Sequence, residues 1–127
     1  MEHIENVKNI KKVLVVDDSR FVRNFHTNLL KAAGLQADKA SDGVEALEKA
    51  TAVRYDLILS DINMPNMDGI VFTEKYRQND NETPIVIIST QAEAVNKEKA
   101  ISAGANLYIV KPVKPNALVL HIKMLLG

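Results

Sequence analysis

Val13-Leu14-Val15-Val16-Asp17-Asp18 is the stretch on which the fold turns. Apolar residues in succession, not alternating with polar ones, describe a strand covered on both faces, and such strands belong to parallel sheets sandwiched by helices. Leu57-Ile58-Leu59, Ile85-Val86-Ile87-Ile88 and Tyr108-Ile109-Val110 repeat the pattern. A less apolar strand around Gln36 to Ala40 is expected at an edge. Helical patterns fill the gaps. Val22, Phe25, Leu29 and Ala33 recur at helical spacing between an N-cap at Ser19 and a stop at Gly34. Asp42 caps a second helix carrying Val44, Leu47 and Ala50, a third runs from about Gly69 to Arg77, a fourth ends near Gly104, and Leu118, Ile122 and Leu125 mark a fifth. Five βα units joined by short loops require right-handed crossovers, so the expected fold is α/β, an open doubly wound parallel sheet with ligands at the carboxyl ends of its strands.

That topology has a chemical consequence. The first strand ends in Asp17-Asp18 and the third in Asp61, so three carboxylates meet at one rim. Any one of them alone reads as a helix cap or an exposed strand end. Together they repel: two unit charges about 4 Å apart oppose each other by roughly 4 kcal/mol at an effective dielectric near 20. A hard divalent cation relieves this, and oxygen-only ligands without His or Cys suit Mg²⁺, which takes one or two carboxylates plus phosphate oxygens. The fifth strand ends in Lys111-Pro112, bringing an ammonium to the same rim as a point charge for a phosphoryl oxygen, and the fourth delivers the Ser89 hydroxyl. Asp61, alone at the end of its strand, is the candidate nucleophile, since a carboxylate attacking phosphorus forms an acyl phosphate.

Val15-Val16-Asp17-Asp18-Ser19-Arg20, Asp61-Ile62-Asn63-Met64-Pro65-Asn66-Met67-Asp68-Gly69, Ser89-Thr90 and Lys111-Pro112, in that order and spacing, resemble a CheY-like response regulator receiver domain of two-component systems. The resemblance covers about Lys12 to Leu126 and implies the flavodoxin-like strand order 2-1-3-4-5, which is CheY's own order. It further implies that Asp61 is the phosphorylation site, that Asp18, Asp61 and the Asn63 carbonyl bind Mg²⁺ directly, that Asp17 does so through water, and that Lys111 contacts the phosphoryl group. Ser89 matches the family's switch hydroxyl, and Tyr108, four residues after Gly104, the aromatic that follows it; by itself Tyr108 is more often a strand-packing ring. The expected partners are a histidine kinase or phosphotransfer protein upstream, and downstream a protein target on the face of the fourth helix, fifth strand and fifth helix. The expected role is a phosphoacceptor switch that catalyses only its own Mg²⁺-dependent phosphoryl transfer and dephosphorylation. Two departures stand out: Thr90, where the family often has Ala, and Pro115, which bears on where the last helix starts.

Composition excludes other classes. The chain has 127 residues, short of the roughly 150 of an average domain, and 46% hydrophobic with 25% charged residues matches an ordinary globular domain. Residues 1–11 read as a polar lead-in, frayed or a short helical extension over Met1 to Asn9, and 12–127 as one receiver domain with no output domain. No apolar run approaches the roughly 20 residues of a membrane span and no signal-peptide core is seen, so a cytoplasmic protein is expected. The absence of cysteine removes disulfides and thiolate chemistry. Sixteen basic against sixteen acidic residues disfavour direct nucleic-acid binding, and no GxGxxG or GxxxxGK[ST] loop supports nucleotide binding. From Lys99 to Gly127 there is no acidic residue, which fits either solvated lysines or a docking surface for an acidic partner. A haloacid-dehalogenase-like phosphatase needs a second Asp two residues after the nucleophile, but position 63 is Asn and position 19 is Ser. A flavodoxin-like carrier needs a phosphate-holding loop where Asp17-Asp18 would repel one. A receiver excised from a larger DNA-binding or enzymatic regulator is the alternative to a stand-alone regulator.

Overall fold

Each apolar run becomes a strand of one parallel sheet in the computed structural model, which describes residues 10–90 and 94–127. The strands are β1 (Lys12–Val16), β2 (Gln36–Ala40), β3 (Leu57–Asp61), β4 (Ile85–Ser89) and β5 (Leu107–Val110), ordered 2-1-3-4-5. The helices are α1 (Arg20–Ala32), α2 (Gly43–Ala52), α3 (Gly69–Arg77), α4 (Ala94–Ala103) and α5 (Pro115–Leu126). The reading of Met1 to Asn9 as a lead-in lies outside the described residues. No helix among the described residues is long and apolar enough to cross a membrane.

Pleating divides the core in two. Val13, Val15, Leu57, Leu59, Val86 and Ile88 point to one side, where Leu30 of α1 and Leu118 and Ile122 of α5 cover them. Leu14, Val16, Ile58, Ile85, Ile87 and Tyr108 point to the other, against Ala46 and Ala50 of α2, Phe72 and Tyr76 of α3 and Ala100 of α4. The three inner strands are buried on both faces, as continuous hydrophobic runs require. β2 is polar because it is an edge strand. β5 departs from the expectation of a strand covered on both faces: it forms the opposite edge, and Val110 is 41% exposed.

The helix ends follow local chemistry. Ser19 Oγ accepts from the Val22 N–H, Asp42 Oδ1 from the Glu45 N–H and Asp68 Oδ1 from the Val71 N–H, each satisfying a donor the first turn leaves open. At the far end of α1, Gly34 has φ +90°, and the Leu35 and Gly34 N–H groups donate to the carbonyls of Leu30 and Lys31, a Schellman closure that favours glycine at that position. α5 starts with Pro115 in its first turn, behind Lys114, which makes no side-chain cap bond.

The buried face of α1 differs from the one its apolar spacing predicts. His26, Thr27 and Leu30 are buried, whereas Phe25 is 48% exposed and Phe21 81%. Burial of Thr27 is made possible by its own helix, because its hydroxyl donates to the carbonyls of Arg23 and Asn24. On α2 the buried positions are Gly43, Ala46 and Ala50; Leu47 is partly buried and Val44 exposed.

Candidate functional site

Three strand ends converge. Asp17 follows β1, Asp61 ends β3 and Lys111 follows β5, and all three continue the pleat direction of the α1–α5 side. Carboxylate oxygens of Asp17, Asp18 and Asp61 lie within 4.8 Å of one another. Lys111 Nζ stands 3.5 Å from Asp17 Oδ2 and 3.6 Å from Asp61 Oδ2. One ammonium thus faces three carboxylates, and the excess negative charge is concentrated: Asp17 is 2% exposed, Asp61 part-buried and Asp18 open to solvent. Burial holds the Asp61 carboxyl above its ordinary range; Lys111 pulls it back, while Asp17 and Asp18 push it up.

The carboxylates are aimed by the backbone. Asp17 Oδ1 accepts from the Ser19 N–H at 2.9 Å and Asp61 Oδ1 from the Ile62 N–H at 2.8 Å. Among the described residues the buried Asp17 Oδ2 makes no hydrogen bond, and Lys111 Nζ approaches it only to 3.5 Å. A buried carboxylate oxygen so weakly satisfied, in a cluster of hard oxygen donors, suits a divalent cation, so the residues present fit Mg²⁺. Asn63 lies exposed in the loop 62–68 between β3 and α3. That loop runs close to its neighbours: the Gly69 N–H donates to Ile62 O, and a β-carbon at Gly69 would collide with the Asp61 carbonyl.

Ser89 ends β4 at the same rim as the carboxylates, while Tyr108 lies lower in β5, and both follow the pleat of the α2–α4 side. Tyr108 pairs in register with Ile87 and Ser89 with Val110, and alternation places Ser89 on the same face as Ile87 and Tyr108. Both are buried, and the Lys111 N–H donates to Ser89 O at 2.7 Å, tying the end of β4 to the residue that carries the ammonium.

Two neighbours of the site escaped sequence reasoning. Arg23 donates from Nη1 to Asp17 O at 2.7 Å, fixing the backbone behind the carboxylate. A basic residue in the second turn of the helix that follows an acidic strand end was the available signal. His26 is buried nearby; desolvation keeps its imidazole below the ordinary range, reinforced by Lys111 and opposed by Asp17.

Residues 13–123 match the family described as response regulator receiver domain. The chain belongs to that family. This receiver domain is 38% identical over 113 residues to the sensor protein EvgS of Escherichia coli K12, covering 89% of this chain and 9% of that protein. To the transcriptional regulatory protein ResD of Bacillus subtilis it is 38% identical over 118 residues, covering 93% of this chain and 49% of ResD. It therefore spans about half the length of that regulator and about a tenth of that sensor. Among solved structures, the Vibrio cholerae chemotaxis protein CheY4 superposes with a TM-score of 0.87 at 36% identity, covering 91% of this chain and 98% of that one. The receiver domain is thus a phosphoacceptor switch module of two-component signalling, with the 2-1-3-4-5 sheet its fold requires.

Proposed function

We propose that Asp61 is the phosphoacceptor of this receiver domain and that Asp17, Asp18, Asp61 and the Asn63 carbonyl hold Mg²⁺. The observation that carries the reading is the pairing of Asp61 with Lys111 at 3.6 Å inside a three-carboxylate cluster. When bound, Mg²⁺ supplies positive charge that neutralises the carboxylates and the incoming phosphoryl oxygens. A carboxylate oxygen of Asp61 attacks the phosphorus of a phosphohistidine on a histidine kinase or phosphotransfer protein. The new O–P bond forms as the P–N bond breaks, and the imidazole nitrogen keeps the electron pair and takes up a proton. Lys111, released from its ion pair with Asp61, turns its ammonium to a phosphoryl oxygen. Attack of water on the acyl phosphate later returns the free carboxylate and inorganic phosphate, so the domain catalyses its own reset.

Ser89 reads the charge. Its hydroxyl donates to another phosphoryl oxygen, and the accompanying shift lets the Tyr108 ring change its packing, which reshapes the face of α4, β5 and α5. Val95, Ile101 and Val110 are exposed on those elements, next to a segment without acidic residues, which supports an acidic partner surface there. The site of action is the cytoplasm. A second reading, in which this receiver is one part of a longer regulator, is favoured by its spanning 49% of ResD, and the length of the parent gene decides it. The proposed chemistry is tested by intact-mass measurement after incubation with a small acyl phosphate. Wild type gains one phosphoryl group only with Mg²⁺ present, and Asp61→Asn gains none.

A further inference from the structure

The loop between β3 and α3 is tied to a helix that contributes nothing to the carboxylate cluster. Asn66 Nδ2 donates to Asp42 Oδ2 at 2.7 Å, and the Gly43 N–H donates to Met67 O at 3.1 Å. Asp42 and Gly43 are the N-cap and first residue of α2, and Asp42 uses its other oxygen to cap that helix. The approach is close: a β-carbon on Gly43 would lie 2.5 Å from Met67 O and 2.9 Å from Met67 Cβ. Asn66 adopts φ +67°, a left-handed conformation that Asn and Gly accept more readily than other residues. At its base the loop is closed by Gly69 N–H to Ile62 O, and within it Met67 N–H donates to Pro65 O. The segment bearing Asn63 is therefore held between the end of β3 and a clamp on α2.

We infer that Asn66, through Asp42, is a positioning residue for the cation site: the α2 clamp holds the 62–68 loop so that the Asn63 carbonyl is presented toward the carboxylates of Asp17, Asp18 and Asp61. The inference rests on the proposed Mg²⁺ site and adds residues that touch neither cation nor phosphoryl group. An octahedral cation with short metal–oxygen bonds tolerates little error in ligand position, so a loop free to drift loses affinity before it loses fold.

The test is calorimetric titration of Mg²⁺ into the full chain, beside a melting curve recorded with a chelator. Asn66→Gly keeps the left-handed backbone and removes the amide; Mg²⁺ affinity falls about threefold, the scale of one exposed hydrogen bond. Asn66→Asp sets a carboxylate against Asp42 and weakens Mg²⁺ by about tenfold, although added negative charge alone would tighten the binding of a cation. The sign of that change separates position from field. The double variant Asp42→Asn with Asn66→Asp reverses the pair at constant net charge, keeps a capping oxygen on α2, and returns affinity to within about twofold of wild type, since the hydrogen bond is remade. All variants melt cooperatively in chelator. Unchanged or tighter Mg²⁺ binding in Asn66→Asp, or failure of the double variant to restore it, overturns the inference while leaving the site itself standing. Wild type that takes up no Mg²⁺ overturns both.

Discussion

Lys111 Nζ lies 3.6 Å from Asp61 Oδ2, the end of the fifth strand reaching across the fourth to the end of the third. Among the described residues, it is the one ammonium ion-paired with the three-carboxylate cluster, touching two of its members. It offsets repulsion between those carboxylates, and in the proposed mechanism it follows the charge to the phosphoryl group.

Removal of that ammonium therefore exposes the repulsion it masks. Lys111→Met is expected to lower stability in chelator by about 1–3 kcal/mol, the scale of leaving a part-buried charged group without its partner. It also raises the Asp61 pKa further, since the largest downward pull is gone and only the Ile62 N–H bond still opposes burial. Urea unfolding and a carboxyl NMR titration read the two effects, and Mg²⁺ should restore much of the lost stability.

On the proposed site, Mg²⁺ should stabilise the unmodified protein by about 2.7 kcal/mol at a hundredfold excess over its dissociation constant, since a site assembled only on folding binds the folded chain and not the unfolded one. Asp18→Asn, which removes the solvent-facing carboxylate of the cluster, should lose most of that gain. Melting curves with and without Mg²⁺ check this; a wild-type curve insensitive to Mg²⁺ rejects the cation site.

The sheet and the charged rim were legible in the sequence for one reason: parallel strands buried on both faces leave continuous apolar runs, and their carboxyl ends fall together in this topology. Asp17, Asp18, Asp61 and Lys111 are consequently found adjacent, as expected. What depends on packing across elements was not legible. The inward face of α1 is set by His26 and Thr27, whose polar groups disguise it, while Phe21 and Phe25 point outward despite their apolar character. The Asn66–Asp42 tie joins residues 24 positions apart through two loops, and no local pattern announces it. Arg23 bonds a backbone carbonyl, a partner that periodicity does not reveal.

Asp80 anchors the turn between α3 and β4, and it makes acid stability predictable. Burial alone would raise its pKa. Donors from the Thr83 N–H, Thr83 Oγ1, Tyr76 OH and Glu82 N–H outweigh that and hold the carboxyl well below the usual 3.8. A depressed folded pKa means that the stabilisation is complete above the unfolded value and is lost as pH falls below about 3.8 toward the folded one. Asp80→Asn should lower the urea midpoint at pH 7 and flatten the loss of stability on acidification below pH 4; an equal acid slope in both proteins would refute the role.

Ser89→Ala should still be phosphorylated on Asp61, since the proposed site uses the hydroxyl neither as nucleophile nor as cation ligand. Its partner should then bind the phosphorylated and unphosphorylated forms with similar affinity, because a ligand biases an equilibrium only through differential affinity. Titration of both forms against the partner decides; a full affinity difference retained in Ser89→Ala would withdraw the roles assigned to Ser89 and Tyr108.

The identity of the phosphoacceptor is tested most directly by chemical trapping. Protein phosphorylated in the presence of Mg²⁺ is treated with borohydride, which reduces an aspartyl phosphate to homoserine, and the change is located by peptide mass mapping. The expected result is conversion confined to the peptide containing Asp61 and absent from Asp61→Asn. Conversion at Asp17 or Asp18 in the wild-type protein, or a stable phosphoryl adduct that borohydride does not reduce, would contradict the assignment.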